Sequence, residues 1–156
     1  DTGTTQTIAE QIGKSLGVDK ADMHDVAKAQ ADFSAYDVVL FGTSTMGLGD
    51  LQDDWDGFLD KVKKADLAGK KVGLFGCGDS VSYSDTFCDG VGIIYEAIKN
   101  SGAQIIGKMS PEGYSFDSTQ ALVDGQLVGL LIDEDNESDQ TPQRIALWVD
   151  ELKKEI

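Results

Sequence analysis

Histidine, cysteine and proline are nearly missing from this sequence: one histidine, two cysteines and two prolines stand among 156 residues. His24 falls in a segment, Ala21 to Val26, that reads as a short strand, where its role is structural. With no second histidine a polyhistidine metal site is excluded, and with the single histidine read as structural so is a catalytic triad. Cys77 and Cys88 are too few for a disulfide scaffold or a four-ligand metal site, and they read as two buried free thiols. Long apolar runs are absent too: none approaches the roughly 20 residues of a membrane span. The start carries neither a basic region nor a hydrophobic signal segment, so the expectation is a soluble, cytoplasmic chain with no membrane insertion. Basic residues are scarce, 13 against 28 acidic ones, which leaves a net charge of −15. Such a field repels nucleic acid and anionic lipid and steers basic proteins into encounter, although acidic surface also serves solubility alone.

What is present is an ordinary globular balance, 40% apolar and 26% charged, sized for a single domain over residues 1–156. Ile8, Ala9, Ile12 and Leu16 recur on one face of a helix that starts near Gln6 and ends near Gly17. Ala27 to Ala35 is a polar connection with a little helix. Asp37 to Gly42 is a continuous apolar run ending at a glycine, which suits a parallel strand covered on both faces. Thr43 to Asp50 follows as a Gly/Ser/Thr loop. Trp55, Phe58, Leu59 and Val62 then mark a helix over Asp53 to Lys64, with acids in its first turn. Lys71 to Gly76 is the next buried strand, Cys77 to Cys88 a second loop, and Val91 to Ile98 a third helix. Gln104 to Ile106 and Leu127 to Ile132 read as strand segments separated by the turn-rich Pro111 to Gly125. Thr141 to Lys153 forms the last helix. Alternating strands and helices imply an α/β three-layer sandwich around a parallel sheet joined by right-handed crossovers.

In such sheets ligands sit at the carboxyl ends of the strands, which selects residues 1–5, 43–50 and 77–88. Asp1-Thr2-Gly3-Thr4-Thr5 joins a glycine, several hydroxyls and a helix N-terminus, the ingredients of a phosphate grip and equally of a plain helix cap. Thr45-Met46-Gly47-Leu48-Gly49 offers a flexible apolar side chain and two glycines where a flat ligand can lie. In Gly76 to Tyr83, glycines allow close backbone approach, Asp79 can accept from a ring N–H, and Tyr83 can stack on a ring. The loops together describe a phosphate grip and a sandwich for a planar heterocycle.

Thr2-Gly3-x-Thr5 with Ala9 and Ile12, Gly42 to Trp55, Phe75 to Asp79 with Tyr83, and Asp133-Glu-Asp-Asn136 resemble flavodoxins of the long-chain type, along the whole chain. The resemblance implies a sheet of order 2-1-3-4-5, with Pro111 to Gly125 as the insertion that splits the last strand. It also implies a hydrophobic strand ahead of Asp1, and the expectation is that such a strand lies upstream of this sequence. The cofactor implied is FMN, held without a covalent bond. Asp1, Thr2, Gly3, Thr4 and Thr5 would grip its phosphate and Thr45 the ribityl side. Met46 and Tyr83 would flank the isoalloxazine, with the Gly47-Leu48 peptide near its N5 atom and Gly49 beside it. Asp79 would face the pyrimidine edge, Gly78, Thr86, Cys77 and Cys88 would complete that loop, and Asp135 would lie near the ribityl chain. Met46 stands where the family often has tryptophan, so a thioether replaces one aromatic face.

The function implied is a low-potential one-electron carrier on the semiquinone/hydroquinone couple, not an enzyme. It would work as a monomer with basic redox proteins such as a flavodoxin/ferredoxin-NADP reductase. Asp50, Asp53, Asp54, Asp79, Asp85 and Asp89 cluster in sequence around the flavin loops and are expected to tune the potential and attract that partner. An FMN-dependent quinone reductase and a flavin-free interaction domain are the alternatives. The first lacks an insertion to build a nicotinamide or quinone pocket. A phosphate-receiver module is disfavoured because the strand ending at Phe41 leads into Gly42-Thr43, not an aspartate.

Overall fold

The apolar runs and helical stripes become alternating strands and helices in a computed structural model of the chain, which describes residues 3–156. In chain order these are α1 (Thr4–Leu16), β1 (Val38–Met46), β2 (Asp50–Leu51), α2 (Asp53–Lys64), β3 (Lys71–Cys77) and α3 (Asp89–Ile98). There follow β4 (Gln104–Ile106), β5 (Leu122–Val123), β6 (Gln126–Leu127), β7 (Leu130–Ile132) and α4 (Thr141–Glu155). β3 is the hub of the sheet, paired in parallel with β1 on one edge and with both β4 and β7 on the other. Gly73 lies opposite Ile106 and Phe75 opposite Leu130, so β4 and β7 are two halves of one strand interrupted by residues 107–129. The expected insertion, Pro111 to Gly125, lies inside that interruption and carries β5, which pairs with β6 just beyond it.

Successive residues of a strand point to opposite faces, and β3 feeds two cores in this way. Phe75 and Cys77 pack with Ile8 and Ile12 of α1 and with Trp148 and Leu152 of α4. Leu74, with Phe41 of β1, packs against Trp55 and Phe58 of α2 and Val91 and Ile94 of α3. Each such buried side chain contributes about 1.5–3 kcal/mol. The aromatics interlock edge to face, with Trp55 centred 5.5 Å from Phe41 and 5.2 Å from Phe58. Trp55 Nε1–H also donates to the Gly42 carbonyl at 2.9 Å, which ties α2 to the middle of β1. The result is the expected three-layer α/β sandwich.

Four sequence expectations change. Ala21 to Val26 is no strand: Lys20–Asp22 is a single 3-10 turn, and the rest runs as coil and turn with His24 exposed. Its polar groups are used locally, since Asp25 Oδ1 accepts the Ala27 N–H at 2.9 Å and Asp22 Oδ1 accepts the Tyr36 hydroxyl at 2.7 Å. Residues 27–35 form turns without helix. β1 does not stop at Gly42 but continues to Met46, so the loop expected over Thr43 to Asp50 shrinks to residues 47–49. Gly42 is a packing glycine, because a Cβ there would lie 2.1 Å from the Phe75 ring. The segment Leu127 to Ile132 divides into β6 and β7. The strand order 3-4-5 of the expected sheet corresponds to β1, β3 and the joined β4 and β7.

Candidate functional site

Three segments meet at the carboxyl edge of β1 and β3. The first is the start of α1, where Gly3 adopts φ 85° as the N-cap, a left-handed conformation with open space around its Cα. The helical ladder begins with Thr7 N–H donating to the Gly3 carbonyl at 3.0 Å, so the N–H groups ahead of it face the helix's N-terminal end. No acid lies in that first turn and no basic residue in residues 3–7, which leaves hydroxyls, backbone N–H groups and the helix dipole as the anion-binding chemistry. Asp1 and Thr2, expected in this grip, lie outside the described residues. Thr5 reaches Cys77 at the end of β3. The Cys77 thiol is pushed up to about 11, chiefly by burial and further by the Glu134 and Asp135 charges, against a Thr5 hydrogen bond that lowers it. Asp135, expected near the ribityl chain, lies on the exposed turn after β7, close enough to act on the Cys77 thiol.

The second segment is a hairpin. Thr45 pairs with Leu51 and Met46 with Asp50, so Gly47, Leu48 and Gly49 form the tip, with Leu48 82% exposed. Thr45 Oγ1 accepts the Gly90 N–H at 2.9 Å, which fixes the end of β1 to the start of α3. Met46 is half-buried, and its sulfur takes the Ser44 hydroxyl at 3.8 Å. Gly49 has φ 107°, and a Cβ there would sit 2.9 Å from Asp89 Oδ2 and 3.2 Å from Thr86. This glycine lets the hairpin touch the third segment.

That third segment, residues 78–88, is wound around carboxylates. Asp79 Oδ1 accepts the N–H groups of Val81 at 3.0 Å and Ser82 at 2.8 Å and the Asn136 amide at 2.8 Å. The Ser82 N–H foremost, with Asn136 and Val81 adding, holds this half-buried acid below its ordinary pKa. Tyr83 is 42% exposed, and its ring packs on none of the other aromatic rings among the described residues. Cys77 and Cys88 are both free thiols beneath the loop; burial raises the Cys88 pKa well above its usual value. Their side chains are packing groups, and only their backbone frames the loop. Thr86 Oγ1 is the one buried side-chain polar atom among the described residues without a hydrogen-bond partner.

Among the acids expected around the flavin loops, Asp50, Asp53, Asp54 and Asp85 are exposed. Asp89 is a correction, since it is 4% exposed and both its oxygens accept from Gln120, at 2.8 and 3.2 Å. It joins the insertion to α3 and offers nothing to a partner. Ser80, Gln120, Asp133 and Asn136 carry structural roles that sequence reasoning missed. Asp133 and Asn136 stood within a motif of the resemblance, which was the one available signal. An open depression of about 540 Å³ lies beside the 78–88 loop, lined by Ser80, Val81, Ser84, Phe116, Asp117 and Asn136. It includes neither Met46 nor Tyr83 and is distinct from the expected ring site. No helix among the described residues is long and apolar enough to cross a membrane.

The flavodoxin family profile matches residues 1–148. A flavodoxin of Synechococcus elongatus is 46% identical over 157 residues, spanning 99% of this chain and 92% of that protein. Flavodoxin 1 of Escherichia coli K12 is 43% identical over 158 residues, spanning 100% of this chain and 90% of that protein. The crystal structure of Fusobacterium nucleatum flavodoxin bound to flavin mononucleotide superposes with a TM-score of 0.92 at 30% identity, covering 100% of this chain and 93% of that one. The chain belongs to the flavodoxin family.

Proposed function

We propose that this chain carries electrons one at a time on a non-covalently held FMN and passes them between redox proteins. When bound, FMN supplies the redox chemistry through its isoalloxazine ring. The protein supplies position, exclusion of water and electrostatics. The observation that carries the reading is the meeting of a helix N-terminus without acids, an apolar hairpin tip and an aromatic-bearing loop at the carboxyl edge of one parallel sheet. Relatives named flavodoxin and a neighbour bound to flavin mononucleotide support the same reading.

In this reading, Gly3, Thr4 and Thr5 with the start of α1 hold the phosphate through neutral donors. Thr45, anchored by Gly90, serves the ribityl side, and the Thr86 hydroxyl is a spare donor beside the hairpin. The Met46 thioether and the Tyr83 ring flank the isoalloxazine, and Asp79 accepts from its pyrimidine edge. Negative charge close by raises the energy of an added electron, so the acids around the loops make the reduced carrier a strong donor. The net charge of −15 fits basic redox proteins, of the flavodoxin/ferredoxin-NADP reductase kind, as partners. A monomer of one FMN-binding domain, working in the cytoplasm, completes the proposal. Two buried free thiols suit a reducing compartment.

The test is titration of FMN with the stripped protein, following loss of flavin fluorescence. The expected result is saturable one-to-one binding, weakened roughly tenfold in Tyr83→Ala by loss of ring stacking. A colourless protein that quenches no flavin would refute the proposal.

A further inference from the structure

Asp133, at the end of β7, is fully buried and lies behind the 78–88 loop. A carboxylate offers two oxygens, each able to take more than one hydrogen bond, and here both are filled by donors. Asp133 Oδ2 accepts the Ser80 N–H at 3.1 Å and also the Ser80 hydroxyl. Oδ1 accepts the Asn136 backbone N–H at 3.1 Å. The Asn136 side-chain amide then bridges outward: Nδ2 lies 3.1 Å from each Asp133 oxygen and 2.8 Å from Asp79 Oδ1. One amide thus ties a buried acid to the half-exposed acid proposed to face the flavin. Two carboxylates this close repel each other, and an NH₂ group between them is the arrangement that satisfies both.

We propose that Asn136, braced by Asp133, is a positioning residue that orients the Asp79 carboxylate and sets the frame of residues 79–82 before FMN arrives. The geometry assigns the parts. Asp79 Oδ1 is turned toward Asn136, Val81 and Ser82, which fixes the carboxylate plane and directs Oδ2. Ser80 is held by Asp133, of the same turn as Asn136, so the loop is clamped at two adjacent residues. A loop held in its binding geometry loses less freedom when ligand binds, and the gain appears as affinity. The role depends on the donor character of position 136: aspartate there would set a third carboxylate between two others. At position 133, asparagine would turn a donor toward the donors of Ser80 or Asn136 despite its matching shape.

Asn136 is exposed, so its substitution tests the relay without opening the core. The proposal rests on the FMN reading for its ligand, and the experiment therefore has two arms on the full chain. The first measures FMN dissociation constants for wild type, Asn136→Ala, Asp79→Ala and the double variant. Removing one charge-assisted hydrogen bond is expected to weaken FMN binding roughly tenfold in Asn136→Ala. The double variant is expected to bind no worse than Asp79→Ala, because Asn136 acts through Asp79. The second arm follows amide hydrogen exchange in stripped protein, where Ser80, Val81 and Ser82 should exchange roughly tenfold faster in Asn136→Ala, with Leu74 and Phe75 of β3 unchanged. Asn136→Ala binding FMN as tightly as wild type overturns the proposal, whatever the exchange shows. So do effects that multiply in the double variant, or a weakening in Asn136→Ala with none in Asp79→Ala. If wild type takes up no FMN, the functional reading falls, and unchanged exchange at Ser80 to Ser82 would then remove the relay as well.

Discussion

Gly49 is where the 47–49 hairpin tip touches Thr86 and Asp89, and its cost of substitution is readable in atoms. Its φ of 107° is closed to most side chains, and a Cβ would press on an Asp89 carboxylate that Gln120 already holds. Gly49→Ala should therefore destabilise the protein by about 1–3 kcal/mol and weaken FMN binding with it. Urea unfolding checks the first effect and flavin titration the second. Cys77 gives a residue-scale prediction of another kind. Burial moves its thiol from 9.0 up to about 11, so above pH 9 the unfolded thiol sheds its proton while the folded one keeps it. The unfolded state then binds fewer protons, and stability falls with rising pH between 9 and 11, by about 2–3 kcal/mol from this group. Tyr114, pushed by burial up to about 12, adds its own slope above pH 10. Melting temperatures across that range should fall less steeply in Cys77→Ala than in wild type. Asp79, Tyr83 and Met46 could be named as candidates from residue type within their loops, and the proposed function takes them up. Asp133 and Ser80 were not legible, because their bond spans 53 positions and only the fold brings them together.

Elements were read best where a single periodicity ruled. α2 runs from Asp53 to Lys64 as expected, since Trp55, Phe58, Leu59 and Val62 define one buried stripe. Asp53, Asp54 and Asp56 at its start and Lys61, Lys63 and Lys64 at its end also complement the helix dipole. Gly57 sits in that helix on the exposed side with nothing near the place of its Cβ. Gly57→Ala should stabilise the protein by about 0.5–1 kcal/mol, visible as a raised urea midpoint at unchanged slope. The misread elements have different causes. Gly42 looks like a stop in sequence, yet it continues β1 because the Phe75 ring occupies the space of its side chain. Ala21 to Val26 has strand-like residues, yet a 3-10 turn and local bonds from Asp22 and Asp25 hold it. At Gly42 a contact from another strand overrides the local pattern, whereas at Ala21 to Val26 nearby polar side chains hold a turn that apolar spacing alone did not show. The split of the last strand was expected from the family resemblance, while the residues themselves showed only two apolar segments around a polar, turn-rich stretch.

At the scale of the whole molecule, the fold gathers its loops at one edge of the sheet and surrounds them with acids. Asp50, Asp53, Asp54 and Asp85 are exposed there, and the molecule carries a net charge of −15. Such a field does two things at once: it favours encounter with basic proteins and raises the energy of negative charge added nearby. The second effect bears directly on the central claim, that this protein holds FMN and moves electrons singly. The decisive measurement is an anaerobic reductive titration of the FMN-loaded protein, followed by visible absorption against a reference dye. The account predicts two separate one-electron steps, with the second at a potential below that of free FMN. A single two-electron step at the potential of free FMN would contradict it.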